Sequence, residues 1–313
     1  MQARTCVIVN PAAGRGRGER MIPEITAAFG SFAGSDVRIT SGRGDESRVA
    51  RAAIADGADT IVVVGGDGTA SNVADVVLHS GKEVRLAVLP AGTGNDMAKL
   101  LGTAKASVAE IVTLCRSSEY QRIDVGRIED VYFVNCCGFG FDVAVLEGIA
   151  NNTRLRGNAV YVYTALTQIV GYRGTDIGIS SVGSSRPPAH HLLLVIANAA
   201  YFGGTFEIAP GAVATDGELD AVSVLDLPAW KRVAVLAAAI NGKHERFREC
   251  VRERASEFVL TFPAPPSYEC DGEVYHAATA KLLVTSCPAA LRVIAANSDL
   301  RAFRSNSPIQ EPR

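Results

Sequence analysis

The sequence predicts an α/β protein in two parts, an N-terminal parallel sheet covered by helices on both faces and a β-rich second domain. Three observations carry this. Over the first 125 residues, short continuous apolar runs alternate with amphipathic runs of 10 to 12 residues. Strands buried on both faces read this way, because helices cover the sheet above and below. Glycine-rich turns follow three of the apolar runs, and after about residue 125 the helical runs thin out. A chain of 313 residues also exceeds the size at which one core usually stops growing, so two domains are expected. The first covers 1–125 and the second 126–289.

In order, TCVIVN (5–10) reads as a buried strand, followed by a glycine-rich turn and a helix with Ile22, Ile25 and Phe29 on one face. DESRVARAAIADG supplies a second helix, with Asp45 as N-cap and Gly57 at its end. TIVVV is a strand, ASNVADVVLH a helix, VRLAVLP a strand and SVAEIVTLCR a helix. Beyond these, RIDVGRI and VYFVNCCGFGFDV read as strands, a helix is expected around 158–171, and SSVGSSRPPAHH reads as a loop. LLLVIANA, GELDAVSVLDL, EFVLTF, SYECDGEVY, KLLVTS and LRVIAA read as further strands, with a clear helix at AWKRVAVLAAAI. The polar SNSPIQEPR tail has a disordered composition.

Composition narrows the function. With 48% hydrophobic and 20% charged residues the chain is globular, and a net charge of -2 gives no general basic field for nucleic acid. The cysteines (Cys6, Cys115, Cys136, Cys137, Cys250, Cys270, Cys287) are odd in number and lack paired CxxC spacing. They suggest neither a disulfide framework nor a zinc site, and fit a reducing cytosol. The N-terminus enters a strand without a signal-peptide pattern, and LLLVIANAAYF and VAVLAAAI are too short to span a bilayer. A cytoplasmic protein, at most peripheral to a membrane, is expected.

The chemistry concentrates in IVVVGGDGTASNV (61–73), where a buried strand runs into three glycines and a lone acid, Asp67. Glycines at the C-terminal end of a parallel strand let backbone N–H groups approach phosphate oxygens ahead of a helix. Asp67 suits such a site when a cation lies between it and the phosphates. The competing reading is a structural turn in which Asp67 caps the helix beginning near Ala70. NPAAGRGRG (10–18) is a second glycine turn, with Arg15 and Arg17 within reach of phosphates, and LPAGTGNDMAKLLG (89–102) a third, with Asp96 heading a helix. Neither Rossmann nor Walker spacing fits. All three turns should emerge on the same edge of the sheet, where open α/β sheets bind ligands.

GGDGT, PAGTGNDMAKLLG, NPAAGRG, APGAVATDGELD and CDGEVY, in these places, resemble the diacylglycerol kinase catalytic family of lipid kinases, which includes bacterial diacylglycerol kinases and, more distantly, sphingosine and ceramide kinases. GGDG alone is shared with NAD kinases and, more loosely, phosphofructokinases, but the combination is specific to the lipid kinases. The resemblance spans Asn10 to about Ile294. It implies an NAD kinase-like nucleotide domain, a β-rich lipid domain, an active site in the cleft between them, and a last segment, about 290–313, that returns to the first domain.

The resemblance further implies ATP contacts at Asn10, Pro11, Ala12, Ala13, Gly14, Thr40, Gly65, Gly66, Asp67, Gly68, Thr69, Thr93 and Asn95. It implies a structural Mg²⁺ on the Asp216 carboxylate and the backbone carbonyls of Val213 and Glu218, with Asp96 a further metal candidate. Asp271 and Glu273 become shared candidates for the base, Asp271 preferred, with Asp67 as the third catalytic residue. One departure is Asn72, where the family usually has Glu. The implied partners are a lipid presented at a membrane surface and, as an option, a second copy in a homodimer; nucleic acid is not among them.

From the residues alone, ECDGEVY reads as a type I′ hairpin with solvated acids. His190 and His191 read as a solvated loop, and Lys243, Arg246, Arg248, Arg252 and Arg254, interleaved with Glu245, Glu249 and Glu253, as a salt-bridged exposed helix. Phe139 and Phe141 read as core, with an acyl pocket as the alternative. The function expected is an ATP- and Mg²⁺-dependent kinase of a lipid hydroxyl, diacylglycerol first. A sphingosine-type or other lipid alcohol kinase is the alternative, and a non-catalytic nucleotide sensor the reading from another class.

Overall fold

A computed structural model describes residues 4–42, 44–117, 119–150, 164, 169 and 171–296. The N-terminal part alternates β1 (Thr5–Val9), α1 (Ala13–Gly30), β2 (Ser35–Ile39), α2 (Asp45–Ala55), β3 (Thr60–Gly65), α3 (Asp67–His79), β4 (Arg85–Pro90), α4 (Asp96–Leu100) and α5 (Val108–Ser117). The strands pair in parallel in the order β4-β3-β1-β2. Strand alternation then sorts the core into two layers. Val7, Val9, Val62, Val64 and Leu89 pack with Ile25 and Phe29 of α1 and Ile111 of α5. Cys6, Ile8, Ile61, Val63 and Leu86 pack with Val49 of α2, Val73 of α3 and Met97 of α4. Burying a side chain such as Phe29, fully inaccessible here, contributes about 1.5–3 kcal/mol.

From β1 the chain steps to β2 on one side, then returns to β3 on the other. The strand order therefore reverses between β1 and β3, where an open α/β sheet leaves a crevice at the strands' carboxyl ends. The turns Asn10–Gly14 and Gly66–Thr69 leave the sheet at that crevice.

The remaining elements are β5 (Gln121–Ile128), β6 (Val131–Phe133), β7 (Cys136–Gly140), α6 (Phe141–Ala150), β8 (Thr175–Ser181), β9 (Ser184–Ala197), β10 (Tyr201–Phe202), β11 (Phe206–Glu207), β12 (Leu219–Leu225), α7 (Ala229–Ala239), β13 (Cys250–Ala255), β14 (Glu257–Thr261), β15 (Ser267–Cys270), β16 (Glu273–His276) and β17 (Lys281–Val293). They form an antiparallel array around Phe133, Phe139, Phe258 and Tyr268. β17 begins antiparallel to β14 and ends parallel to β4, pairing Arg292 with Arg85 and Val293 with Leu86. One strand thus ties both halves into a single sheet.

Several local expectations are corrected. Asp45 is the first helical residue, after a left-handed Gly44, and Asp45 Oδ2 accepts the Ser41 N–H and hydroxyl. VYFVNCCGFGFDV is two strands and the start of α6. SSRPPAHH belongs to β9; its prolines sit where the pairing with β8 shifts register, a place that tolerates the missing N–H. His190 is exposed against Asp176, but His191 is buried. The charged run 243–254 is a short 3₁₀ turn followed by β13, not a helix. KLLVTS and LRVIAA are one strand with a bulge between Cys287 and Leu291. Of the helix expected around 158–171, only Thr164, Ile169 and Gly171 are described, all helical; the rest, and the polar tail, lie outside the described residues.

Candidate active site

Asn10–Gly14, Gly66, Gly68, Thr69 and Gly92 wall a cleft of about 330 Å³, completed by Thr40, Ser41, Gly42 and Glu46 after β2, by Asn72 of α3 and by Glu273 of β16. Both halves of the chain therefore contribute to it. The turns come close because they lack side chains: a Cβ on Gly92 would stand 2.4 Å from the Gly66 Cα. Gly14, Arg15 and Gly16 all adopt left-handed angles before α1 becomes regular. α3 starts after Gly66 with no side-chain cap, leaving first-turn N–H groups at the cleft, a favourable place for phosphate.

The expected nucleotide residues divide into two groups. Asn10, Pro11, Ala12, Ala13, Gly14, Thr40, Gly66, Gly68 and Thr69 line the cleft. Gly65, Asp67, Thr93 and Asn95 are not among its lining residues; Gly65 and Asn95 support the turns. The Gly65 carbonyl accepts the N–H groups of Ala91 and Gly92. Asn95, left-handed at φ 54°, folds the third turn by accepting the Gly92 N–H and donating to the Gly92 carbonyl, both at 3.0 Å. Asn10 likewise shapes its own turn, accepting from Ala12 N–H at 3.0 Å, and donates to Thr69 Oγ1 at 2.9 Å.

Asp67 is itself the first residue of α3, so it does not cap a helix starting near Ala70. Its Oδ1 instead accepts the Asp96 N–H at 2.5 Å and the Met97 N–H at 3.3 Å, at the start of α4. Burial, and then the nearby Asp96 carboxylate, push the Asp67 carboxyl up to about 6, against the pull of those N–H groups. Asp96 has both oxygens engaged: Oδ1 pairs with Lys99 Nζ at 2.8 Å, and Oδ2 accepts the Gly204 N–H at 2.7 Å. Lys99 also donates to the Gly204 carbonyl and stands 4.9 Å from the Tyr201 ring centre. Asp96 therefore holds the β10–β11 hairpin against α4 as an interdomain tether.

The β15–β16 hairpin turns through Asp271 and Gly272, both at positive φ, as a type I′ turn does. Asp271 is not solvated. Its Oδ1 accepts from the Asn135 and Cys136 N–H groups, and Oδ2 from the Val134 N–H and the Ser71 hydroxyl. Burial pushes its carboxyl upward, and these donors hold it back. Glu273 lines the cleft, and a Cβ on Gly68 would stand 3.7 Å from its Oε1. The two acids face different surroundings: Asp271 is held by backbone donors beneath the hairpin, and Glu273 lines the cleft.

Behind the hairpin, Glu269 is fully buried, with Oε2 accepting the Gly272 N–H at 2.7 Å. Beside it lies Asp142, the second residue of α6: a Cβ on Gly138 would meet Asp142 Oδ2 at 1.6 Å and Glu269 Oε1 at 2.9 Å. Burial raises the carboxyl of Asp142 to about 7, and burial with the charge of Asp142 raises that of Glu269 further above the carboxylate range. Neither Asp142 oxygen makes a well-formed hydrogen bond among the described residues, although the first N–H groups of α6 are close. Asp142, Arg232 and His244 are the polar residues lining an otherwise apolar cavity of about 50 Å³, walled by Phe141, Leu192, Phe206, Val235 and Leu236, among others. Phe139, by contrast, is core, in tilted ring contact with Phe262 and Tyr268. An acid inside so apolar a stretch was the available signal for Asp142.

The expected structural Mg²⁺ loop is organised differently. Asp216 Oδ1 accepts the Glu218 N–H at 3.0 Å, and Oδ2 pairs with Arg254 Nη2, which also reaches Glu218 Oε2 at 3.0 Å. The Val213 carbonyl accepts the Thr215 N–H at 2.8 Å. Asp124 adds hydrogen bonds from the N–H groups of Gly217 and Ala289, both at 2.7 Å. A guanidinium occupies the position of positive charge, so the Asp216 carboxylate as arranged does not fit a metal. Among the described residues no group of three or more His, Cys, Asp or Glu side chains is arranged to hold one.

Comparison with known proteins agrees with this architecture. Residues 4–128 match the model of the diacylglycerol kinase catalytic domain, and residues 135–295 match the YegS C-terminal NAD kinase beta sandwich-like domain. A probable lipid kinase YegS-like from Pseudomonas aeruginosa is 31% identical over 82% of this chain and 83% of its own. A diacylglycerol kinase from Mycobacterium tuberculosis is 28% identical over 93% of this chain and 94% of its own. Among solved structures, a diacylglycerol kinase from Bacillus anthracis superposes with a TM-score of 0.70 at 20% identity, covering 93% of this chain and 96% of that one. Yeast NADH kinase superposes with a TM-score of 0.51 at 10% identity over 99% and 91%, sharing the fold. The chain belongs to the diacylglycerol kinase family of lipid kinases, with the YegS-type β-sandwich as its second domain.

Proposed function

We propose that this kinase transfers the γ-phosphate of magnesium-bound ATP to a lipid hydroxyl, with diacylglycerol the leading acceptor and phosphatidate the product. The observation that carries the reading is the hairpin β15–β16, which stands between a glycine-walled cleft and an apolar cavity: Glu273 lines the cleft, and Glu269 abuts Asp142 of the cavity. A donor of phosphate and a greasy acceptor need such a pair of sites. The turns hold the phosphates, and the lipid oxygen attacks phosphorus as the bond to the ADP oxygen breaks. The hydroxyl proton passes to a carboxylate late in the transfer, and Glu273 is the acid at the cleft. Asp67, ionised near neutrality, would supply a carboxylate to the magnesium that arrives with ATP. Asp271 keeps the hairpin in place.

Lipid enters from a membrane surface. Trp230 and Val233 of α7 and Ile240 just beyond it are exposed large apolar side chains, and α7 also covers the cavity through Val235 and Leu236. A cavity of about 50 Å³ takes the end of one chain, so α7 must move to admit more. The carboxyl of Asp142, which lacks a well-formed hydrogen bond among the described residues, supports a second reading, an acceptor carrying an amino or further hydroxyl group, as a sphingosine-type lipid does. Turnover on mixed micelles of a 1,2-diacylglycerol or of a long-chain amino alcohol, each with ATP and Mg²⁺, decides between them. Phosphorylation of neither would defeat both.

A further inference from the structure

The wall of the cleft between β2 and α2 carries two buried oxygens that no described group satisfies. Glu46 is 3% exposed; its Oε1 accepts a hydrogen bond from Asn72 Nδ2 at 2.7 Å, and its Oε2 has no partner. Thr40, also 3% exposed, has an unpartnered hydroxyl. Both residues line the cleft, as does Asn72. Desolvating a carboxylate oxygen with nothing to replace water is costly, so an arrangement that holds one there fits a ligand that supplies the missing donor. A first-turn acid would favour the α2 macrodipole equally well if it pointed into solvent, so the dipole does not explain the burial.

The cleft is therefore polarised. Its glycine turns and the start of α3 offer N–H donors, which suit phosphate, whereas the β2–α2 wall offers acceptors. A carboxylate repels phosphate but accepts from the uncharged half of a nucleotide. We infer that Glu46, assisted by Thr40 and held by Asn72, is the residue that recognises the nucleoside. Its Oε2 accepts a hydrogen bond from a sugar hydroxyl or from the exocyclic amino group of the base. This rests on the reading of the cleft as an ATP site. It also gives Asn72 a role: an amide stands where related kinases carry Glu, and it positions a carboxylate supplied from α2.

Calorimetric titration tests this with ATP and Mg²⁺, and with inorganic tripolyphosphate as a probe of the phosphate half. Glu46→Gln should weaken ATP binding roughly tenfold or more, the scale of one hydrogen bond to a charged group, and leave tripolyphosphate unchanged. Thr40→Val should act in the same direction, more weakly. If the donor is a sugar hydroxyl, Glu46→Gln should no longer distinguish ATP from 2′-deoxy- or 3′-deoxy-ATP. If it is the amino group, the lost discrimination is against purine riboside triphosphate. Wild-type ATP affinity in a folded Glu46→Gln protein overturns the inference, as does equal weakening of ATP and tripolyphosphate. A wild-type protein that binds no ATP overturns the kinase reading and this inference with it.

Discussion

Asp67 Oδ1 accepts the backbone N–H of Asp96 at 2.5 Å, so the acid of one glycine turn caps the helix that follows another. The cap lies across the sheet edge from the helix to which Asp67 belongs. Through Asp96, Lys99 and Gly204 the same contact continues into the second domain. Domain docking therefore runs through the turns that wall the cleft.

Asp67→Asn should lower turnover by orders of magnitude while costing only about 1 kcal/mol of stability, the scale of a helix cap. The pH dependence has a definite sign. An unfolded Asp titrates near 4, and here the folded carboxyl is pushed up to about 6. The native state therefore holds the extra proton between these values, and this group's contribution to stability rises as pH falls from 6 to 4. Activity should move oppositely, falling below about pH 6 as the carboxylate is protonated. Melting curves and turnover measured over the same pH series check both.

Glu273→Gln and Asp271→Asn should separate. The first should abolish most turnover with an unchanged melting temperature. The second places an amide against three backbone N–H groups, so at least one buried donor is orphaned at a cost of about 1–3 kcal/mol. Its loss of activity should track loss of fold. A stable, inactive Asp271→Asn beside an active Glu273→Gln would return the base to Asp271.

Melting of the wild-type protein should be indifferent to a chelator, because the 213–218 loop is held by Arg254 and Asp124. Arg254→Gln should lower the melting temperature modestly, since a partly exposed ion-pair network is worth about 1 kcal/mol. A reversible drop in wild-type melting temperature on metal removal, absent in Asp216→Ala, would show that a cation displaces the guanidinium.

Trp230→Glu should reduce sedimentation with phospholipid vesicles and turnover on vesicle-borne lipid, without altering ATP affinity. Unchanged vesicle binding would remove α7 as the membrane-facing element.

The sheet was legible because Ile61–Val64 and its neighbours are buried on both faces, which leaves a continuous apolar run. The glycine turns were legible because close approaches such as Gly66 to Gly92 admit no side chain. What escaped the sequence depends on distant partners. Asp271 looks solvated until residues 134–136, far away in the chain, supply its donors. Arg252 and Arg254 satisfy helical charge spacing as well as strand alternation, and only Asp220 and Asp216 on the neighbouring elements select the strand. Glu46 resembles any first-turn acid until Asn72 draws it into the cleft.

On the proposed reading, phosphate passes from ATP to a lipid at the cleft. The most direct measurement is incubation of the protein with γ-labelled ATP, Mg²⁺ and a mixed extract of membrane lipids, followed by identification of the labelled product by mass. The account predicts label in an organic-soluble phosphomonoester, foremost phosphatidate, and its loss in Glu273→Gln. Label confined to water-soluble phosphate or to ATP, across lipid classes and with ATP demonstrably bound, would contradict it.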